Sequence, residues 1–143
     1  MSFQDMDLDN IPEVELLSEN DVHQVSIKKA TLKNSKTGRM MLSILFECPQ
    51  YPEAENIFEN LCSTLPDDTK QTERMMKQNM VGFCNAFYIS TDEFPDVSND
   101  PALDTKEGVP LDILIGRTGN VTVAKEEDQN NNLRNVIKTY IAS

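Results

Sequence analysis

The sequence predicts an all-β fold with one helix, closed into a small barrel. Period-two alternation of apolar residues recurs along Val22–Lys33, Met40–Cys48, Gly119–Glu126 and Leu133–Ile141, the spacing that turns one face of a strand to a core. Only Pro66–Tyr88 joins a helical stripe to a start signal. At 143 residues the chain suits one domain, and no apolar run approaches the ~20 residues that cross a bilayer.

The first 20 residues form an acidic arm. Asp5, Asp7, Asp9, Glu13, Glu15, Glu19 and the adjoining Asp21 are acids, and residues 1–21 hold no base. Ile11, Val14, Leu16 and Leu17 let part of the arm lie against the domain, and Pro12 argues against a central strand. The remainder has the composition of a disordered tail. The domain proper spans 21–143. In its first strand Val25 and Ile27 alternate with Ser26 and Lys28; then the phase slips, and Ala30 and Leu32 carry it on. A slip at Lys28-Lys29 predicts a β-bulge, which bends a strand. Asn34–Gly38 is a turn with glycine at its end. In Met40–Cys48 the even-numbered residues Met40 to Cys48 face one way. The resulting hairpin is tipped by Lys33, Lys36 and Arg39.

Ala54–Leu65 reads two ways. Ala54, Ile57, Phe58, Leu61, Cys62 and Leu65 fit a helical stripe, and a short strand over Asn56–Cys62 fits as well; periodicity alone does not choose. Pro66-Asp67-Asp68-Thr69 opens the helix, with Asp68 as its cap and Gln71 in capping-box position. Met76, Met80, Phe83, Cys84 and Phe87 form its stripe, with Met75 beside it. Gly82 costs about 1 kcal/mol against alanine there, which close packing would explain. The helix ends near Tyr88. Thr91–Pro110 is a long acidic loop with three prolines, of a kind that is often functional or mobile. Val121 and Val123 share one face of the next strand. In Leu133–Ile141, Leu133, Ile137 and Ile141 face inward, and Arg134, Val136, Lys138 and Tyr140 face out.

Several function classes are disfavoured. The one histidine, His23, stands beside no obvious nucleophile, and no phosphate-loop, dinucleotide, nucleophile-elbow or zincin motif occurs. Asp112 and Glu126 read as solvated acids. Cys48, Cys62 and Cys84 with His23 match no usual zinc spacing and read as reduced, mostly buried thiols. The expectation is a non-enzyme with no cofactor and no metal. Nothing at the start resembles a signal peptide, so the expected location is the cytoplasm, away from membranes.

Charge is sorted along the chain. The net charge is −11, yet Val22–Phe46 carries five cations and no acid. A local positive patch can attract a polyanion while the global charge keeps the protein soluble. Unpaired nucleic acid asks for cations to neutralise phosphates and flat side chains to stack on bases. Lys28, Lys29, Lys33, Lys36 and Arg39 on the hairpin, with Arg134, Lys138 and Tyr140 on the last strand, supply both, and Tyr51 and Phe58 are further stacking candidates. Each has a plainer role: edge protection for the lysines, core for Phe58, a loop anchor for Tyr51 and sheet cover for Tyr140.

The element order is a bent strand, a hairpin, a third strand, a helix and two further strands. It is that of the OB-fold, a five-stranded Greek-key barrel with its helix between strands three and four. The run Val25–Leu42, with its lysine-bearing strand, Ser35-Lys36-Thr37-Gly38 turn and apolar second strand, resembles the opening of a family of phage-encoded single-stranded-DNA-binding proteins. The likeness continues through Pro52, Leu65-Pro66-Asp67-Asp68, Asn85–Ile89 and Asn135–Lys138, and covers most of residues 12–141. The resemblance implies an OB-fold, a strand rather than a helix near residues 54–65, and sequence-independent coating of single-stranded DNA in phage replication or recombination. The host cytoplasm would be its location, and several copies would coat one strand. Such proteins often end in an acidic tail. This sequence ends Thr139–Ser143 without an acid and carries its acids in the N-terminal arm, which is expected to compete with DNA for the basic groove or to bind a replication or recombination protein. Two alternatives come from other classes: an acidic DNA mimic that blocks a host nuclease or restriction enzyme, against which the cationic stretch speaks, and a protein-interaction module using Thr91–Pro110.

Overall fold

The computed structural model describes residues 2–10 and 13–142; Ile11 and Pro12 of the arm lie outside them. In chain order the elements are β1 (His23–Asn34), β2 (Met40–Glu47), β3 (Ile57–Cys62), α1 (Lys70–Phe87), β4 (Val109–Pro110), β5 (Thr118–Glu127) and β6 (Leu133–Ile141). The strands form one antiparallel sheet in the spatial order β3-β2-β1-β5-β6, with β4 paired to β1. The fold is thus mostly β with one helix. Among the described residues no helix is long and apolar enough to cross a membrane.

The bulge in β1 is present: pairing with β2 shifts register between Ile27 and Lys29. Val25 and Ile27 before it, and Ala30 and Leu32 after it, are all buried. The N-terminal part of β1, His23–Ser26, pairs with β5 on its other edge. Beyond that point loop backbone takes over. Ile27 donates to the carbonyl of Arg117 (2.9 Å) and accepts from Gly116 (2.8 Å), and the carbonyl of Ala30 accepts from Leu111 (2.9 Å). Loop backbone and β4 thus continue the pairing of this central strand beyond β5.

Residues 57–62 are a strand because its inward side chains complete existing rows. Ile57 stands opposite Phe46 and Leu61 opposite Leu42, while Phe58 turns outward and is half exposed. Glu59 stands opposite Ile44 on the core face.

The helix lies against β3, β5 and β6. Phe46 stacks on Phe87 (centroids 5.4 Å apart), Phe83 lies 5.1 Å from Phe87, and Tyr140 meets Phe83 edge-on at 5.7 Å. Thr69 caps α1 by accepting from the Thr72 amide at 3.2 Å. Asp68, the expected cap, is one residue too early and is used elsewhere. Tyr88 closes the helix in left-handed geometry (φ 55°). A β-carbon at Gly119 would sit 2.8 Å from the Ala86 carbonyl oxygen, so glycine is what lets α1 approach β5. At Gly82 the nearest neighbour, Tyr140, would be 3.6 Å away, an ordinary contact; packing leaves room for a methyl group there.

Tyr140 corrects the sequence reading. In the pairing of β5 with β6, Thr122 stands opposite Thr139 but Val123 opposite Ile137, so Lys138 is an extra residue. The phase changes there, and Tyr140 joins Ile137 on the core side, against the helix. Leu133, expected inside, is half exposed, and Asn135 is buried.

The sheet does not close into a barrel. β3 and β6 approach each other without sharing a ladder. The arm occupies the seam. Glu55 donates to the Glu15 carbonyl (3.3 Å). Leu17, only 2 % exposed, donates its N–H to Asn135 Oδ1 at 2.7 Å and accepts from Asn135 Nδ2 at 3.2 Å. The Thr91–Pro110 loop is likewise anchored: Leu103 is buried, and Gly108 (φ +68°) brings the backbone directly over Leu32 and Thr31.

Two predictions follow from this packing. Gly82→Ala raises the thermal midpoint, by up to about 1 kcal/mol of stability, and Gly119→Ala lowers it by about 1–3 kcal/mol through overpacking; circular-dichroism melts of both variants check the contrast. Burial raises the Glu59 carboxyl from 4.5 to about 7, so the folded state holds this proton more tightly than the unfolded chain does. Stability from this group is complete below 4.5 and is lost as pH rises to about 7. Glu59→Gln is expected to gain on the parent in urea titrations as pH goes from 5 to 8; a gap that does not widen contradicts the assignment.

Candidate nucleic-acid interface

The outer face of β1–β3 is built in rows. Lys29 stands opposite Leu45, which stands opposite Phe58; Thr31, Ser43 and Asn60 form the next row, and Lys33, Met41 and Cys62 the third. Ser43 donates to Asn60 Oδ1 at 2.8 Å. Lys29 and Lys33 are four residues apart on one strand, roughly 13 Å. Pairing of Pro110 with Thr31 brings the preceding loop, and with it Lys106, to the same face. The product is a cleft of about 470 Å³ lined by Lys29, Lys33, Lys106, Leu45 and Phe58, with one acid, Glu107.

Phe58 also lines a second cleft, of about 670 Å³, between β3, the β5–β6 hairpin and the arm. Arg134, Leu133 and Asn56 line it, as do Val14 and Leu16 of the arm. Half of the Phe58 side chain is exposed at the junction. Lys29, Lys33 and Lys106 line one of the two clefts that meet at Phe58, and Arg134 lines the other. This arrangement can neutralise phosphates and hold a flat ring between them.

The other expected residues go elsewhere. Lys28 and Tyr51 line a separate cleft with Glu47, Glu53 and Glu55, an acidic surround that disfavours phosphate; the Tyr51 ring also meets His23 edge-on at 6.0 Å. Lys36 at the hairpin tip and Lys138 at the β6 bulge are exposed but line neither shared cleft. Tyr140 is inside; burial, with Glu59 nearby, raises its hydroxyl well above the usual tyrosine range, and that oxygen makes no hydrogen bond among the described residues. Arg39 is occupied. Its guanidinium donates to both oxygens of Asp68, at 2.8 Å for Oδ2, and to the Ser63 carbonyl at 3.0 Å. Asp68 also accepts from the Leu65 amide at 2.7 Å. Hydrogen bonds from Arg39 and Leu65 hold the carboxyl at about 2. Arg39 therefore fastens β2 to the turn before α1. Arg117 is similarly paired with Glu93.

Sequence reasoning missed Lys106. It is the one base in Thr91–Pro110, a signal that the acids around it obscured. Among the described residues no group of three or more histidine, cysteine and acidic side chains is placed to share a metal ion. Cys48 and Cys84 are buried and Cys62 is half-buried.

A scan against protein-family models gives no match, and no curated protein matches the chain. Arg39→Ala is expected to lower the thermal midpoint, because the Asp68 carboxylate loses its counter-charge, while leaving oligonucleotide affinity unchanged. A variant that melts like the parent but binds more weakly would return Arg39 to the interface.

Proposed function

We propose that the protein binds single-stranded DNA, largely independently of sequence, through the outer face of β1–β3, and that it is not an enzyme. The observation that carries this reading is the shared position of Phe58, with Lys29, Lys33 and Lys106 in one cleft beside it and Arg134 in the other. Lysines serve phosphates, and the exposed ring serves a base of any identity.

The topology supports an OB-type reading of the fold. β5 returns by a long connection to lie beside β1, giving the order β5-β1-β2-β3, the Greek-key arrangement, and α1 sits between the third strand and the return. In OB-folds this same face, with the loops around it, takes oligonucleotides. With the resemblance of Val25–Leu42, it makes coating of single strands during phage replication or recombination, by several copies in the host cytoplasm, the role we favour. The arm divides in two. Residues 14–17 belong to the fold, since Leu17 is core. Residues 2–10, with Phe3 and Leu8 exposed among acids, are the part suited to meet a replication or recombination protein.

Fluorescence anisotropy with labelled single- and double-stranded oligonucleotides, over a range of salt, tests the reading. Single strands should bind more tightly than duplex. Charge reversal of Lys29, Lys33 and Lys106 together should reduce the slope of log affinity against log salt by about 2, at about 0.7 per phosphate. Phe58→Ala should cost ~1–3 kcal/mol and leave the slope alone. Unchanged binding by the triple variant would move the site, and indifference to every oligonucleotide would leave the DNA-mimic reading in its place.

A further inference from the structure

We propose that residues 2–10 of one copy of the chain dock on the outer face of α1 of a second copy, with Phe3, Met6 and Leu8 against Val81 and Tyr88, and Asp7 and Asp9 against Lys70 and Arg74.

Both surfaces are unused within one chain. All nine residues of the segment are exposed, Phe3 at 89 %. Its side-chain hydrogen bonds are internal. Asp5 accepts from the amide and hydroxyl of Ser2 at 3.0 and 3.1 Å, and Asp7 accepts from the Asp9 amide at 3.2 Å and from Asn10 Nδ2 at 2.6 Å. On α1 the inner face is taken by Met80, Phe83 and Phe87. Residues seven apart return to nearly the same side of a helix, so Arg74 and Val81 share an outer stripe that runs on to Tyr88 at the helix end. Val81 is half exposed and Tyr88 is 76 % exposed. Large apolar side chains left in water on two separate surfaces mark places where something else packs.

The charges on the two surfaces are opposite. Residues 2–10 hold Asp5, Asp7 and Asp9 and no base. The helix holds Lys70, Arg74 and Lys77 and one acid, Glu73, which Lys77 pairs at 2.6 Å. Lys70 and Arg74 are exposed, one turn apart on one side of the helix, and have no ion-pair partner among the described residues. The next acids, Asp92 and Glu93, follow the end of the helix, and Glu93 is paired with Arg117. Lengths agree as well. From Arg74 to Tyr88 the stripe is about 21 Å long, and an extended chain from Asp9 to Phe3 covers about 20 Å. An arm laid antiparallel to the helix sets Asp9 beside Lys70 and Arg74 while Phe3 reaches Tyr88.

The arm leaves the fold at the seam between β3 and β6, where Leu17 is held by Asn135. Within one chain the segment beyond it turns on itself and the stripe stays bare. A second copy supplies the same stripe, and contacts of this kind can run from copy to copy. Neither cleft at Phe58 includes a residue of α1, so docking leaves both open. A segment this short buries less than the ~1,000 Å² of a stable interface. The contact is therefore weak between free molecules and gains strength where copies are held side by side. A replication or recombination protein that takes the arm has to displace the neighbouring copy.

Sedimentation velocity of the full chain without nucleic acid, from micromolar to submillimolar concentration, provides the test. It is run at physiological salt, where a screening length of about 8 Å shortens the repulsion between two chains of charge −11. The average mass should rise with concentration. Phe3→Ser with Leu8→Ser should weaken this association about tenfold or more. Lys70→Glu with Arg74→Glu should weaken it similarly, and adding Asp7→Lys and Asp9→Lys to that same chain should restore it. All six side chains are exposed, and a parent-like melting curve confirms that the variants fold. A parent that stays monomeric throughout overturns the proposal. So does association that survives loss of Phe3 and Leu8, or a charge reversal that the opposite reversal fails to rescue. The single-strand reading stands or falls separately, by the anisotropy titrations.

Discussion

Lys28 is one residue too many for the ladder between β1 and β2, and a lysine there is what the core rejects. Strict alternation from Val25 and Ile27 would turn Lys29 inward beside Ile44, with neither water nor a counter-ion. The extra residue keeps Lys28 and Lys29 both outside and returns Ala30 and Leu32 to the core. It also separates the part of β1 that pairs with β5 from the part bordered by Leu111 and β4. The curl of the sheet, the approach of β3 to β6 and the cationic outer face all depend on that local change of phase.

The same device in β6 has the opposite visibility. Strict alternation would put one of two adjacent lysines in the core, so the slip in β1 is legible in the sequence. In β6 the extra residue is Lys138, followed by Thr139 and then Tyr140. A tyrosine suits a core ring or a stacking platform equally well, so nothing in the letters marks where the phase changes. For this reason the strand and its location were readable, and the side on which Tyr140 lies was not. β3 follows the same logic: Ile57, Phe58 and Leu61 fit two periods, and only their partners Phe46, Leu45 and Leu42 in β2 choose between them.

The seam between β3 and β6 was least legible of all. Its occupant is one leucine in an acidic stretch, and its clasp is one asparagine near a run of asparagines. Asn135 satisfies both the N–H and the carbonyl of Leu17, which is how an irregular backbone segment can be buried at little cost. A contact of such long sequence separation leaves no local signature. Its consequence reaches the candidate interface, because the segment that fills the seam also contributes Val14 and Leu16 to the wall of the cleft beside Phe58.

Charge along the chain and charge in space are different quantities. Of the five cations in Val22–Phe46, Arg39 is spent on Asp68, Lys28 lies among glutamates, and Lys36 extends from the hairpin tip. Lys29 and Lys33 remain, and Lys106 joins them from an acidic loop. At physiological salt the screening length is about 8 Å, so a phosphate in this cleft responds to those three ammonium groups more than to the net −11. At low salt the screening length grows to about 30 Å and the strand meets the whole acidic molecule. Lowering the salt thus strengthens the local contacts and the global repulsion together. On the proposed reading, a salt slope would understate the number of phosphates neutralised, and affinity would depend on where three lysines stand, against the sign of the protein as a whole.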